Sequence, residues 1–453
     1  MTGLKKVVTL RTVIATSAGM AMATSCYAAG VKVAVLVAGQ SAWVSILVAG
    51  IMCILSSMCF SELNGMYPSA AGIRLFIERA FGEKAAITIG AFYLGCAIAM
   101  VGPETHILSS VIGTVLPGVP PFVWVLVFLG VIALINLRGV VLAGLAQDIM
   151  TYTMLSFMIV IGIYAIKTSG VSVPQMLNTG GITNVFQAAA VGVFLYVGFE
   201  WVTPLAEEVT DSKIIPKGMM IAIGLLCITY AIFITGMIAV VSKETLAVSN
   251  IPHIIFGNAL FGKAGIYVFV VMSCLASMTS YNAGFLNFSR FIYAMGRDNV
   301  LPRVFSKISN RYATPLFAIL FAFTLSLLIS IYCHLSGKYM RLILVAAAIE
   351  VIIYTVMALS VIRLRFTMRD TDRPYRVPGG LIIPIISVVF FMILLLGIYA
   401  EDITVLFIMA GVFVVCLIYT LLVPPRLRSA YEKRMEQRVP RRRRPGGAGS
   451  KQT

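Results

Sequence analysis

Charge is scarce in this chain. Of 453 residues, 12% are Asp, Glu, Lys or Arg, against about a quarter in an ordinary soluble domain. Only 18 residues are acidic and 3 are histidine. His106, His253 and His334 are scattered over different segments, which argues against a metal centre or a histidine-based catalytic constellation. No metal or cofactor is therefore expected. The eight cysteines form no C-x-x-C pair and nearly all lie inside apolar runs. They are expected as small buried hydrophobes, not as disulfides or metal ligands. The chain has no P-loop, so an ATP-driven pump would need a partner chain. It has no filter loop and no ring of pore charges, which disfavours a channel. No long polar insertion interrupts it, so no soluble domain is expected.

What fills the space is apolar sequence, 59% of the chain. Crossing about 30 Å of hydrocarbon takes about 20 apolar residues. The runs predict twelve spans, near 8–29, 42–66, 85–113, 122–137, 149–168, 183–206, 217–241, 264–293, 314–333, 341–362, 380–400 and 403–423. The predicted fold class is an all-α polytopic membrane protein, with a transporter domain over 1–424 and a basic, disordered cytoplasmic tail over 425–453.

The net charge of +17 invites a nucleic-acid reading, but its distribution excludes one. With the N-terminus inside, the cytoplasmic segments hold 29 Lys and Arg and the opposite segments 6. That asymmetry is the positive-inside rule, and it puts both termini in the cytoplasm of a cell with the protein in its plasma (inner) membrane. The tail is read as solvated chain, with contact to anionic lipid headgroups as the alternative.

The N-terminal stretch "TSAGMAMATSCYAAG" (Thr16 to Gly30) follows Lys5, Lys6 and Arg11 and contains the A-x-A triplet Ala21-Met22-Ala23, as a secretory signal would. A second reading is a membrane helix broken at Ser17-Ala18-Gly19. A comparable break signal, "FLYVGFEW" (Phe194 to Trp201), lies in the sixth span. These are the first spans of two five-span blocks, about 8–168 and 183–362, followed by extra helices at about 380–423. Discontinuous helices at matching places in two halves mark inverted-repeat transporters. Their freed N–H groups attract anions and their freed carbonyls attract cations. The paired placement favours a retained, broken first helix. Glycine that merely allows close helix packing is the plainer alternative.

Six segments, in order, then carry a resemblance. "SAGM" (Ser17 to Met20) is similar to a small-small-Gly-apolar break. "SELNGMYPSAAGIRLFIERAFG" (Ser61 to Gly82), "INLRGVVLAGLAQDIMT" (Ile135 to Thr151) and "GFEWVTPLAEEVTDSKIIPKGM" (Gly198 to Met219) follow. The most specific is "NFSRFIYAMGRDNVLPRVFSKISNRYATP" (Asn287 to Pro315), and "RPYRVPGG" (Arg373 to Gly380) closes the set. Together they resemble the amino acid–polyamine–organocation transporter superfamily from about Leu10 to Val423. The resemblance implies a leucine-transporter-type fold, a five-plus-five inverted repeat with broken helices 1 and 6 and two C-terminal helices. It implies secondary active transport of an amino acid by alternating access, by proton coupling or exchange. Transport of a polyamine or other organic cation, or ligand sensing without transport, are the alternatives.

Carried over residue by residue, the resemblance implies that the N–H groups of Ala18 and Gly19 hold a substrate carboxylate, with help from Ser17. The carbonyls of Ala15, Phe194 and Val197 would take the ammonium group, and Phe194 would cover the substrate. Met20, Tyr196 and Gly198 complete the expected lining, and the hydroxyls and Asn282 of "SMTSYNAGF" (Ser277 to Phe285) are expected to line the site or a sodium-like site, or to bond between helices. The break lacks the middle hydroxyl of the family's usual Gly-Ser-Gly, because Ala18 stands there. The fifth span also lacks the lysine of some proton-coupled members.

A carboxylate at mid-bilayer costs about 2.5–3.5 kcal/mol on insertion scales, so acidic residues inside spans are candidates by default. Glu62 is expected to be structural, paired with Arg74 or Arg79. Glu200 follows the sixth-span break and is a candidate for proton-linked gating, or for bonding freed backbone. Glu104, beside Pro103, is a candidate to bind a cationic side chain or to carry a proton with His106. Its plainer reading is a buried carboxyl held by Ser109 or a neighbouring helix. Glu350 is expected to join Glu104 in an acidic vestibule.

Overall fold

The computed structural model describes residues 4–37, 40–211 and 213–422; the basic tail lies outside the described residues. Helices account for 80% of the structure, and no strand occurs among the described residues. In chain order the helices are α1 (Leu10–Met20), α2 (Ser25–Leu36), α3 (Ala42–Met66), α4 (Ile73–Phe81), α5 (Glu83–Gly113), α6 (Pro121–Leu137), α7 (Val140–Ser169), α8 (Val173–Leu177), α9 (Ile182–Gly192), α10 (Ile214–Val240), α11 (Lys243–Ala247), α12 (Pro252–Arg297), α13 (Leu316–Ser336), α14 (Tyr339–Thr367), α15 (Ile382–Glu401) and α16 (Thr404–Leu422). Between α9 and α10 the chain runs through two 3₁₀ segments, Val193–Tyr196 and Phe199–Glu207.

Ten segments are long and apolar enough to cross a membrane, taking Ile182–Glu207 as one. The bent pair α1 and α2 makes an eleventh. α6, at 17 residues, sits at the lower limit of about 17 for a span. Every predicted span thus has a helical counterpart, and the chain is an integral membrane protein. α12 has 46 residues, far longer than a bilayer needs at about 1.5 Å of rise per residue. Its backbone leaves the helical region at Phe261 and Gly262, which sets the first turns apart from the span proper.

The two predicted discontinuities exist. α1 and α2 meet at 64° across four residues, 21–24. The bend falls after Met20, three residues later than Ser17-Ala18-Gly19 suggests. Ser17, Ala18 and Gly19 are buried helical residues of α1. Their small size serves packing: a Cβ on Gly19 would lie 2.1 Å from Gln147 Nε2 and 2.5 Å from Thr151 Oγ1. In the sixth span, Val197 is extended and Gly198 has φ +104°, before the chain tightens into the second 3₁₀ segment. A Cβ at Gly198 would also lie 2.6 Å from Met20 Cγ, so the two breaks are in contact.

The end of the molecule that carries α4 is sealed by ion pairs. Arg290 Nε donates to Glu208 Oε2 at 2.8 Å, and both residues are fully buried. The backbone N–H groups of Val7 and Val8 donate to Glu208 O at 2.9 Å each, tying the N-terminal segment to the end of the sixth span. Arg297 pairs with Glu207 at 2.8 Å, and Arg74 pairs with both Asp298 and Glu78. Glu62 does not pair with Arg74 or Arg79 as expected. It takes Arg365 at 2.5 Å and Arg373 at 3.2 Å, and accepts from Val377 N at 2.8 Å. Glu62 thereby anchors the "RPYRVPGG" loop, and Arg74 is free to reach the end of α12.

Removing one partner of a fully buried pair strands the other charge, at about 3–5 kcal/mol, whereas an exposed pair is worth about 0.2–1 kcal/mol. Glu208→Ala and Arg290→Ala should therefore lower the thermal unfolding midpoint in detergent far more than Arg341→Ala, which loses a surface pair with Asp402. Equal losses would show that the buried pair does not hold this end together. Gly198→Ala should cost about 1–3 kcal/mol for its left-handed φ. Adding Met20→Ala should not restore the midpoint, because relieving the contact leaves the φ unchanged; full recovery would show that crowding is the whole cost.

Candidate functional site

Breaking a helix in hydrocarbon leaves backbone polar groups that need partners inside the protein. At the first break the end of α1 turns back on itself. Ala21 N donates to Ala18 O at 3.1 Å and Met22 N to Gly19 O at 3.2 Å. Side chains take further carbonyls: Ser280 Oγ donates to Met20 O at 3.1 Å, and Tyr230 OH to Ala21 O at 2.7 Å. Ala15 O, expected to face a substrate ammonium, accepts from Gln147 Nε2 at 3.2 Å and Thr151 Oγ1 at 3.0 Å. Thr279 Oγ1 joins the same cluster.

The start of α2 is met by Glu104, reaching across from α5. Thr24 N donates to Glu104 Oε1 at 2.7 Å and Ser25 N to Glu104 Oε2 at 3.2 Å. Ser277 Oγ donates to Oε1 at 2.5 Å. A carboxylate on the first N–H groups of a helix is favoured by charge-assisted bonds and by the helix dipole. The N–H groups that meet an anion are thus six residues beyond Ala18 and Gly19, across the break, and the anion is the protein's own side chain. Ser109 is not its partner and donates to Thr105 O. His106 stacks on Tyr339 and lies against His334, and no described bond joins it to Glu104.

At the second break Gly198 N donates to Tyr354 OH at 3.3 Å, and Tyr354 OH donates to Glu200 Oε2 at 2.8 Å. Tyr93 OH donates to Glu200 Oε1 at 3.1 Å. Ser17 Oγ donates to Phe199 O at 2.8 Å, joining the two broken spans. Glu350 is not in a vestibule with Glu104. Trp201, the residue after Glu200, donates from Nε1 to Glu350 Oε1 at 2.8 Å.

Between the breaks lies a cavity with about 710 Å³ of unfilled space, its mouth included. Met20 and Phe194 line it as expected, as does Glu104. Ala15, Ser17, Ala18, Gly19, Tyr196, Val197, Gly198 and Asn282 do not form its wall. Asn282 instead joins three helices: its Nδ2 donates to Ala143 O and Gln147 Oε1, each at 2.8 Å, and its Oδ1 accepts from Asn136 at 2.8 Å. Tyr196 OH donates to Ile46 O at 2.7 Å. The wall also contains Ser25, Trp201 and Ser326, none of them expected as lining, and Ser280 and Tyr281, whose hydroxyls are candidates for it. Trp201 had a signal, because three residues past Gly198 is one turn of the 3₁₀ segment that follows. Ser280 and Tyr281 lie within the hydroxyl-rich "SMTSYNAGF" (Ser277 to Phe285). Glu104 is the one charged side chain on the described wall.

Two breaks in contact, a cavity between them and one sealed end are what a carrier requires. Comparison with known proteins agrees. The chain is 29% identical to the "Cationic amino acid transporter 4, vacuolar" of Arabidopsis thaliana, over 61% of this chain and 50% of that protein. It is 25% identical to the "Large neutral amino acids transporter small subunit 2" of Mus musculus, over 77% of this chain and 68% of the other. It is 26% identical to the "Gamma-aminobutyric acid permease" of Escherichia coli, over 75% and 76% respectively. The chain spans only about half the length of the Arabidopsis cationic transporters it matches. The family described as "Amino acid permease" matches residues 9–432, and this chain belongs to that family.

Proposed function

We propose that the protein is a secondary transporter of amino acids working by alternating access around the cavity between the two breaks. The observation that carries this reading is the contact of Gly198 with Met20, which places the breaks of the first and sixth spans on one cavity. The two five-span blocks, about 8–168 and 183–362, are read as an inverted repeat, with 380–423 as added helices. The end sealed by Arg290 and Glu208 is read as the cytoplasmic end, since the basic segments cluster there. Protons are the proposed coupling ion, with Glu200 as the coupling residue.

One feature of the wall favours a cationic substrate within this class. Glu104 is a carboxylate on a wall with no Lys, Arg or His among its described residues. Its oxygens already satisfy the start of α2, so an ammonium or guanidinium group suits the cavity better than a second anion. The Arabidopsis relative named for cationic amino acids supports the same choice.

Reconstituted protein should show counterflow of a labelled amino acid from a panel of arginine, leucine and 4-aminobutyrate, and Gly19→Leu should abolish it by driving α1 away from α7. No counterflow of any member by folded, inserted protein would overturn the carrier reading. Glu104→Gln should weaken arginine counterflow by roughly tenfold, the effect of about 1.4 kcal/mol, while leucine changes little. Equal loss for both would make Glu104 a helix cap without a role in selection.

A further inference from the structure

Apart from Glu200 and Glu350, the carboxylates described above meet an arginine or the start of a helix, Glu78 and Asp402 included. Glu62, Glu207 and Glu208 face arginines. Glu104 faces backbone N–H groups and a serine. Asp298 faces Arg74. Glu200 and Glu350 do not follow this pattern. Both are 0% exposed, and their surroundings interlock: Trp201, beside Glu200 in sequence, donates to Glu350, and Tyr354, one turn from Glu350 on α14, donates to Glu200. No described lysine, arginine or histidine forms an ion pair with either.

The surroundings of the pair can be taken element by element. α5 supplies Tyr93, which donates to Glu200, and Cys96, whose Sγ donates to Glu350 Oε1 at 3.3 Å. α14 supplies Tyr354, which donates to Glu200. The 3₁₀ segment supplies Trp201, which donates to Glu350. α3 supplies Cys53, and beyond it α10 supplies Cys227. α12 presents only the rings of Phe288 and Phe291. Every ionisable neighbour is a tyrosine or a cysteine, and none of them brings positive charge.

The donors do not cover all four oxygens. Glu200 has one donor on each oxygen, and both donors to Glu350 fall on Oε1. Glu350 Oε2 is buried and has no donor among the described residues. Trp201 and Tyr354 hold Glu200 and Glu350 as neighbours, and two carboxyl oxygens form a hydrogen bond only when a proton lies between them. Two ionised carboxylates in contact, without a cation, repel strongly in a low-dielectric interior. From this geometry we infer that Glu200 and Glu350 form one proton-binding site, holding a single proton between them. The site rests on the carrier reading above and deepens it by naming a second residue for the coupling proton.

Its position connects it to both moving parts. Tyr354 bonds Glu200 on one side and the Gly198 N–H of the break on the other. Trp201 bonds Glu350 and also lines the cavity. When the proton is present, the pair clamps α14 to the broken sixth span. When it leaves, two negative charges face each other across that junction and push it apart. No bond other than O–H forms or breaks, and the proton is the only species exchanged.

Infrared spectroscopy of the purified full chain tests this without any substrate. At neutral pH the wild type should show a carboxylic-acid C=O band that shifts on H/D exchange. The band should move in Glu350→Gln and be lost in Glu200→Gln/Glu350→Gln. Superimposable wild-type and double-variant spectra in this region would overturn the inference. Trp201→Phe, which removes a donor to Glu350 and should shift the same band, keeps the test open if the double variant does not fold; an unshifted band there would overturn it too. In liposomes, stimulation of arginine or leucine uptake by an inward proton gradient should be lost in Glu350→Gln, and retained stimulation would count against the site. Wild-type counterflow separates the two readings: its absence would sink the carrier function, while the band alone decides whether the pair holds a proton.

Discussion

A helix broken inside a membrane must return every freed backbone group to a protein partner, because lipid offers none. Much of the interior of this molecule follows from that demand. α1 ends where Ala21, Met22, Ser280 and Tyr230 can take its last carbonyls. α2 begins where Glu104 can reach its first N–H groups. Gly198 adopts its positive φ where Tyr354 can accept its N–H. The partners come from α5, α10, α12 and α14, so each break is held by helices distant in sequence. A movement of any of these helices changes the satisfaction of a break, which gives a bundle of otherwise rigid rods a place to bend.

The two ends of the bundle use charge differently. At the α4 end, acids and arginines alternate in direct pairs that cross between α3, α4, α12, α14 and the end of the sixth span. The fully buried Arg290–Glu208 pair stands at the centre of that end. Nothing about such a pair makes it a strong source of stability relative to apolar packing. Its physical use is specificity of one closed arrangement, since both charges lose their partner if the end opens dry. Opening then requires water to follow, as it does when a carrier exposes its cavity on that side.

Much of the fold was legible in the sequence because its signals are long and one-dimensional. Apolar runs locate the spans, and small residues lie close to both breaks. The details that escaped are three-dimensional. Ser17, Ala18 and Gly19 look like the point of unwinding, yet their smallness is spent on contact with Gln147 and Thr151. The helix ends only where partners for its carbonyls exist. Asn282, polar in a span, suits lining or interhelical bonding equally, and only the fold shows it as a joint between α6, α7 and α12. Glu350 and Glu104 share an acidic character and no neighbourhood, whereas Trp201, beside Glu200 and 149 residues from Glu350, bonds Glu350. Spacing along the chain cannot reveal a pairing between α14 and the sixth span.

The contrast between Glu104 and the Glu200–Glu350 pair shows how one residue type is given two tasks. Glu104 is surrounded by donors, two backbone N–H groups and a hydroxyl, and its oxygens complete the start of α2 at the cavity wall. Glu200 and Glu350 share tyrosine, indole and thiol donors, and Trp201 and Tyr354 hold them as neighbours. Environments that separate the protonation of like groups are how proteins assign acid and base roles. In the proposed carrier, the capped carboxyl would choose what enters and the pair would hold the proton that drives movement. Trp201 touches the cavity on one side and Glu350 on the other, so the two tasks meet in a single side chain.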